Sequence, residues 1–332
     1  MEDADQGTAS LIYKLYEKPE EFRDHLGASL IGNPCERYLW YSFRWVMRPQ
    51  IEGRIKRLFD TGHREEARLI EELRRVGVEL HTRERDGKQI SCRDESGHFG
   101  GSVDGIGKGF KETEQWALFE CKTAKESDYN SIVKHGVEKS KPSHYDQMQT
   151  YMGMMSLSCA VYFAYCKNND KIYTELIKYD EKAFKSLLDK ANRVIKADRP
   201  PLRISDDPAN FGCKFCDFRD VCHNDWAALS HCRTCISSTP VMSGKWHCTK
   251  RLRGITSAEQ RGGCDQFLMI PDLVQTATAV DYGDTFIEYA DKATGELFIH
   301  GKKPVDTLAS RRSEGKKIAS NNGLPFDDEI PF

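Results

Sequence analysis

The sequence contains no long hydrophobic run and no excess of charge of either sign. None of its apolar stretches approaches the roughly 20 residues that a bilayer crossing requires, so we expect no membrane association. The 49 Lys and Arg residues nearly balance the 51 Asp and Glu residues, which leaves a formal net charge of -2. Contact with nucleic acid must therefore come from local patches or bound metal ions. With 39% hydrophobic residues against 30% charged ones, wholesale disorder is excluded as well.

The first ten residues lack the features of a secretion signal. They are polar and acidic, with no basic stretch leading into an apolar one, so we expect a cytoplasmic protein. Because the cytoplasm is reducing, the 12 cysteines are expected to be free thiols or metal ligands rather than disulfides. At 332 residues, the chain can form one large domain and carry an additional module.

Hydrophobic periodicity predicts an α/β or α+β fold in which helices flank a mixed sheet. Helical patterns cover 55–76, 144–157 and 181–197, and extended patterns cover 78–83, 89–92, 101–105, 116–123, 160–167 and 171–179. We predict a mobile loop or a loosely held helix over 124–143, a hairpin over 285–300 and a flexible tail from 301. The corresponding domains are a core over 1–225, a cysteine-rich module with the hairpin over 226–300, and the tail over 301–332.

The first predicted helix carries two ionisable residues on its apolar stripe. The stripe consists of Phe59, Gly62, Ala67, Ile70 and Leu73, and His63 and Glu66 fall on it. Because two ionisable groups on an inward face would carry a desolvation cost, we predict that they share a metal ion. The alternative is a hydrogen-bonded core histidine and a solvated glutamate.

A second group of ionisable residues follows the apolar strand 116–119. The strand period of two places Glu120 and Lys122 on one face, and a hairpin could bring Asp104 beside them. Two carboxylates and the carbonyl of Cys121 are the hard oxygen ligands that magnesium or manganese prefers. Lys122 would orient an attacking water or stabilise developing negative charge. An acidic residue two positions before a lysine is weak evidence alone, but here it follows a hydrophobic strand.

Together these residues resemble the motifs of the PD-(D/E)XK nuclease superfamily, in particular its RecB-type branch. The motifs are His63, Asp104, Glu120-x-Lys122 and Gln147-x-x-x-Tyr151, in that order, although Asp104 follows Ser-Val rather than proline. The resemblance implies a restriction-endonuclease-like core in which His63, Asp104 and Glu120 hold the divalent metal. The residue patterns above add Glu66 and the carbonyl of Cys121 as further ligands. The resemblance also implies that Lys122 assists catalysis and that Gln147 and Tyr151 position DNA or the active-site groups.

The function implied by the resemblance is that of a metal-dependent DNA exonuclease. Such an enzyme would act on single strands or duplex ends in recombination, repair or phage DNA processing, in a bacterial cytoplasm. A second hypothesis is a non-catalytic protein that binds DNA ends and recruits partners. A third is RNA processing, because hydrolysis of a phosphodiester does not itself select the sugar.

Three cysteines form a compact first set, Cys213-x2-Cys216-x5-Cys222, which lacks a fourth ligand. His223 could complete a zinc site locally. The resemblance implies a different fourth ligand, Cys35, and a 4Fe-4S cluster that joins the two ends of the nuclease core, as in RecB-type nucleases with an iron-sulfur staple.

The second set, Cys232-x2-Cys235-x12-Cys248-x15-Cys264, matches a tetrahedral thiolate site and predicts a small zinc-binding module. Basic and aromatic residues interleave with it, namely Lys245, Trp246, Lys250, Arg251 and Arg253. They could bind phosphates and stack on bases. Alternatively, zinc only folds a segment that has no core of its own, and these charges are solvated.

The last six residues are acidic and then apolar, in the order Asp327, Asp328, Glu329, Ile330, Pro331 and Phe332. They resemble the C-terminal tip of bacterial single-stranded-DNA-binding proteins. The resemblance implies that they bind proteins that recognise that tip, or that they fold back and compete with DNA. The alternative is an ordinary acidic tail.

Overall fold

The computed structural model describes residues 7–19 and 21–302, and the backbone of 316–317. The chain divides into two compact units. Unit 1 comprises Met1–Ala197, Pro201–Asp217 and Pro240–Lys245, and unit 2 comprises Asp198–Pro200, Phe218–Thr239 and Trp246–Phe332. None of the described helices combines the length and the hydropathy that a membrane span requires. The domain boundaries given above remain predictions.

The elements follow one another along the chain as helices and short strands. The helices are α1 (Thr8–Lys14), α2 (Glu36–Phe43), α3 (Gly53–Arg75), α4 (Glu126–His135), α5 (Val137–Ser140), α6 (Pro142–Met155), α7 (Glu181–Lys196), α8 (Phe211–Lys214), α9 (Arg219–His223) and α10 (Ser257–Arg261). The strands are β1 (Leu26–Gly27), β2 (Glu79–His81), β3 (Ser91–Arg93), β4 (Phe99–Ser102), β5 (Gly105–Lys108), β6 (Ala117–Ala124), β7 (Cys159–Cys166), β8 (Ile172–Lys178), β9 (Ser238–Val241), β10 (Lys245–Cys248), β11 (Arg253–Ile255), β12 (Ala277–Gly283), β13 (Phe286–Asp291), β14 (Leu297–Gly301) and β15 (Lys316–Lys317).

A five-stranded sheet in the order β2-β5-β6-β7-β8 forms the centre of unit 1. β6 and β7 are parallel, and the other neighbouring pairs are antiparallel. Both central strands are buried along nearly their whole length, because helices cover them on each face. The mixed sheet flanked by helices that the sequence predicts is confirmed at this level.

Helix α3 packs on one face of this sheet. Its residues Leu69 and Leu73 share an apolar cluster with Phe119 and Cys121 of β6. Because side chains alternate along a strand, the neighbouring Glu120 projects from the opposite face. The alternation predicted for this strand therefore determines which residues enter the core and which remain for a site.

The inward stripe of α3 is rotated from the predicted one. Phe59 is 50% exposed and Ala67 is exposed, although both were predicted to face inward. Leu73 is buried as predicted, and Leu69, which was not assigned to the stripe, is buried one helical turn before it. Glu66 lies one turn before Leu69 on that same stripe and is half-buried. The two leucines fix the rotation because they bury more apolar surface than alanine does.

In the segment 124–143 the structure has two short helices, α4 and α5, which agrees with the predicted alternative of a helix and not with that of a mobile loop. Tyr129, Ile132 and Val137 anchor them in the core. Gly136 joins the two helices at a φ of 77°, a conformation that favours glycine. The many lysines of this segment make the hydrophobic pattern of these few apolar residues hard to recognise in the sequence.

Helix α6 lies on the opposite side of β6 from α3, and α7 packs against α6. The two helices are in close contact at Gly153 of α6, where an added Cβ would overlap the ring of Phe184 in α7. This helix pair therefore depends on the absence of a side chain at that position.

We expect Gly153→Ala to lower the free energy of unfolding by about 1–3 kcal/mol, because the new methyl group overpacks the α6–α7 contact. Gly62→Ala in α3 is the matched control, since its Cβ would meet only the Thr123 Oγ1 atom at 3.6 Å. Alanine has the better helix propensity, so the control should raise stability by about 0.5–1 kcal/mol. Urea denaturation measures both changes. Equal shifts of the two variants in the same direction would contradict the packing argument.

Unit 2 contains a sheet in the order β12-β13-β14-β15. Its core consists of Leu268, Ala277, Ile287 and Tyr289. The hairpin predicted over 285–300 is confirmed as β13 and β14, which pair in antiparallel register. A further sheet, β11-β10-β9, contains Cys248 of the second cysteine set, at the end of β10.

Candidate active site

Strand β6 presents Glu120 and Lys122 on the face that α6 covers. Glu120 is completely buried, whereas the side chain of Lys122 is 29% exposed. The Lys122 ammonium donates to the Glu120 Oε1 atom, and the Gln147 Nε2 atom of α6 donates to the same oxygen at 3.0 Å. The predicted proximity of Glu120, Lys122 and Gln147 is therefore present in the fold.

Asp104 reaches β6 where the backbone pairing with β5 ends. β5 begins at Gly105, which pairs with Phe119, and the Asp104 Oδ2 atom accepts from the Cys121 amide nitrogen at 2.9 Å. This carboxylate thus occupies the place that a longer β5 backbone would take. Because the N–H and C=O groups of one strand residue point to the same side, the carbonyl of Cys121 faces this open edge too.

Burial is the largest cause that raises the pKa of Glu120, to about 7. Lys122 opposes the shift, and the carboxylates of Asp104 and Glu66 add to it. Among the described residues, the Glu120 Oε2 atom is buried and has no hydrogen-bond partner. A buried carboxylate oxygen without a partner is costly, so this site lacks positive charge or a donor.

Glu66 on α3 is a second carboxylate whose charged form is disfavoured by its surroundings. Burial, followed by the charge of Asp104, raises the pKa of Glu66 to about 7. Burial lowers the pKa of the Lys122 ammonium. The negative charges of Glu120 and Asp104 outweigh this effect, so the pKa is raised. Carboxylates from α3, from the start of β5 and from β6 therefore influence one another at a single place.

These groups have the chemistry of a divalent-cation site. Glu66, Asp104, Glu120 and the carbonyl of Cys121 are oxygen ligands of the kind that magnesium and manganese prefer. As the side chains stand, no three His, Cys, Asp or Glu residues in the described ranges are close enough to share an ion. Ion binding would thus require carboxylate rotation. His63 is exposed on α3, and its role as a ligand stays a prediction.

Tyr151 lies one turn after Gln147 on α6 and is 2% exposed. Its hydroxyl packs beneath Gly101 of β4, where an added Cβ would lie 2.5 Å from the phenolic oxygen. Burial, and next the charge of Glu120, raises the pKa of Tyr151. Gln147 donates to Glu120, and Tyr151 lies on the same side of α6, as the spacing of four predicts.

Two further polar residues near Lys122 were not predicted. His144 of α6 and Tyr162 of β7 are joined by a contact of 2.9 Å between Nδ1 and the phenolic oxygen. Tyr162 pairs with Glu120 across the two parallel strands. The sequence signal for His144 is its position three residues before Gln147, on the same helix face.

No protein-family model matches this chain, and no curated protein matches it in sequence. Among solved structures, an alkaline exonuclease (LHK-Exo) from Laribacter hongkongensis is similar, with a TM-score of 0.39, 15% identity and coverage of 56% of this chain and 90% of that chain. The complex of LHK-Exo with dAMP has a TM-score of 0.40, 14% identity and the same coverage of 56% and 90%. SSO0001 has a TM-score of 0.37 and 14% identity, with coverage of 64% and 95%. Similarities this weak carry no conclusion about fold or activity, so the proposals below depend on the site itself.

The first cysteine set is divided between the two units. Cys35, the N-cap residue of α2, belongs to unit 1 together with Cys213 and Cys216, whereas Cys222 belongs to unit 2. Near Cys216, the Tyr38 hydroxyl donates to Asp217 at 3.2 Å within unit 1. The four-ligand set therefore stays a prediction.

The second cysteine set lines one cavity of about 150 Å³ in unit 2. All four predicted ligands contribute to its wall, namely Cys232, Cys235, Cys248 and Cys264. Burial raises the pKa of the Cys232 thiol to about 11, and the other three cysteines add to the shift. The Cys232 thiol also donates to the carbonyls of Glu259 and Gly262, at 3.3 and 3.4 Å.

Only some of the basic and aromatic residues that interleave with this set are exposed for contact with nucleic acid. Trp246 is completely buried, and the Arg233 guanidinium covers its ring at 4.7 Å. Arg253 forms an ion pair with Glu259 at 2.5 Å. The alternative in which the aromatic ring of this patch stacks on bases is therefore contradicted, because Trp246 is buried inside the module. The predicted partner-binding tip, 327–332, lies outside the described residues.

Proposed function

We propose that this protein is a metal-dependent nuclease that hydrolyses phosphodiester bonds in DNA. The observation that carries the proposal is the buried carboxylate of Glu120, whose Oε2 atom has no partner among the described residues, beside Asp104 and Lys122. Carboxylates crowded in this way favour a cation, and the neighbouring ammonium favours an anionic substrate.

Each residue has a role that follows from its contacts. When bound, a magnesium or manganese ion would supply a nucleophilic water near neutral pH and stabilise negative charge on the phosphate. Gln147 donates to the Glu120 Oε1 atom and leaves the Oε2 atom for the ion. Lys122 stays charged and partly accessible, so it can orient the water or neutralise charge on the phosphate.

The finer assignment rests on the resemblance of the ordered motifs. It favours an exonuclease acting on single strands or duplex ends in recombination, repair or phage DNA processing, in a bacterial cytoplasm. The alternative is a non-catalytic adaptor that binds DNA ends, against which the presence of Asp104, Glu120 and Lys122 argues. We also keep the proposal that 327–332 recruits proteins that bind the tip of single-stranded-DNA-binding proteins.

We further propose two structural metal sites. That four cysteines line one cavity supports zinc in unit 2, although their thiols are not close enough to share an ion as they stand. Zinc would draw the thiolates together and stabilise a segment with a small core. A 4Fe-4S cluster at Cys35, Cys213, Cys216 and Cys222 rests on the resemblance, with zinc completed by His223 as the alternative.

An assay with linear single-stranded, linear duplex and circular duplex DNA, and with RNA, tests the catalytic proposal. We expect degradation of linear DNA that requires magnesium or manganese. Lys122→Met should slow it at least about a hundredfold, because it removes the charge and keeps the shape. Lys125→Met is the matched control, since the Lys125 side chain is 68% exposed.

The other outcomes separate the alternatives. No cleavage of any nucleic acid, with retained binding to DNA ends, would favour the adaptor. Cleavage of RNA alone would show that RNA and not DNA is the substrate. Cleavage of circular DNA would show that the enzyme is an endonuclease and not an exonuclease.

A further inference from the structure

Helix α6 carries a third polar residue on the face that contacts the catalytic carboxylates. His144, Gln147 and Tyr151 are spaced by three and four positions, so they lie along one side of the helix. The roles of Gln147 and Tyr151 follow from their neighbours in the site. His144 has no role in the hydrolysis proposed above.

Tyr162 holds the ring of His144. It lies directly opposite Glu120 in the parallel register of β6 and β7, so its side chain projects from the same face of the sheet as Glu120 and Lys122. Tyr162 is completely buried, and its phenolic oxygen lies 2.9 Å from the His144 Nδ1 atom. The histidine ring is therefore fixed beside the catalytic lysine.

The hydrogen-bonding possibilities of Tyr162 indicate which of the two groups carries the proton in this contact. The contact with His144 is the only hydrogen bond of the Tyr162 hydroxyl within the described ranges. Because a buried donor left without an acceptor is costly, the phenol O–H donates and Nδ1 accepts. The neutral ring then carries its proton on Nε2, on the side away from Tyr162.

The surroundings keep this ring uncharged. Burial, followed by the charges of Lys122 and Lys141, lowers the pKa of His144 to about 3, and Asp128 opposes the shift only in part. Lys141 is itself paired with Asp128 at 2.8 Å. His144 is half-buried, so the residue is not sealed off from solvent.

We propose that His144 is a further DNA-binding residue of this site: Tyr162 holds the ring, and the Nε2–H group donates to a backbone phosphate next to the bond that is hydrolysed. The inference rests on the proposed nuclease function and names a contact of that same site. An uncharged donor suits this position, because a cation there would be repelled by Lys122 and Lys141. It would also repel a divalent ion.

Binding of a fluorescent single-stranded oligonucleotide, measured with calcium in place of magnesium, tests the contact. We expect His144→Ala to raise the Kd about tenfold, as for a lost hydrogen bond to a charged group. His144→Gln should stay within about threefold of the original Kd, because the glutamine Nε2 atom can replace the imidazole Nε2 atom as donor. Tyr162→Phe should weaken binding to an intermediate degree.

The salt dependence of binding distinguishes a neutral contact from a charged one. His144→Ala should leave the slope of log Kd against log salt unchanged, whereas loss of a charged phosphate contact lowers it by about 0.7 on single strands. A lowered slope would overturn the neutral assignment. An unchanged Kd for His144→Ala, or a His144→Gln variant that melts like the original protein yet binds as poorly as His144→Ala, would overturn the contact.

Cleavage measured in parallel with magnesium separates this inference from the proposed function. If the original protein cuts DNA and His144→Ala binds and cuts equally well, only the inference fails. If the original protein cuts nothing while His144→Ala binds DNA more weakly, the hydrolysis fails and the contact stands. If the original protein neither binds nor cuts DNA, both fail.

Discussion

Glu120→Gln is expected to reduce DNA cleavage at least about a thousandfold while the protein stays folded. The amide keeps the shape of the carboxylate and can still accept from Gln147, but it lacks the negative charge that holds a divalent ion. In the metal-free protein this charge is buried and is repelled by Asp104 and Glu66. Its removal should therefore leave thermal stability unchanged or slightly raised, although Lys122 loses its partner.

Two measurements on the same samples check this prediction. Cleavage is followed with magnesium or manganese, and the melting temperature is followed with and without manganese. Manganese should raise the melting temperature of the original protein but not that of Glu120→Gln, because a ligand that binds only the folded state stabilises it. Glu138→Gln is the control, since this exposed residue of α5 makes the same change of charge away from the site. Normal cleavage by Glu120→Gln would remove this carboxylate from the mechanism.

Cys248→Ser is expected to abolish zinc binding and to destabilise unit 2 by several kcal/mol. Cys248 is buried at the end of β10 and faces the cavity that Cys232, Cys235 and Cys264 also line. The serine hydroxyl is a poor zinc ligand, and the three remaining thiolates would repel one another. Limited proteolysis should then cut unit 2 and leave unit 1 intact.

Metal content and the visible spectrum of anaerobically purified protein report on both cysteine sets. We expect one zinc, about four irons and a broad brown absorption band in the original protein. Cys248→Ser should lose zinc alone, and Cys213→Ser should lose iron alone. Cys159→Ser is the control, because this buried thiol belongs to neither set. Zinc that remains in Cys248→Ser, or is missing from the original protein, would contradict the assignment.

Local periodicity was sufficient for part of the candidate site. The alternation along β6 predicts that Glu120 and Lys122 share a face, and the structure has them in contact. The spacing of four predicts that Gln147 and Tyr151 share a face of α6, and Gln147 donates to Glu120. The inward face of α3 was predicted less well. Its alanine, glycine and phenylalanine residues are compatible with several helix faces, and only the packing of Leu69 in the core selects one of them.

The sequence by itself determined the order of most strands and helices between α3 and α7, and the pairing of Glu120 with Lys122 on one face. Side-chain alternation and helical spacing are local, so they can be read from neighbouring residues. Only the tertiary structure decided that Asp104 binds the Cys121 amide, that Tyr162 holds His144 and that Trp246 is buried. Each of these contacts joins residues from different elements, and such contacts depend on where β5 ends, on the register of β6 with β7, and on which large side chains fill the core.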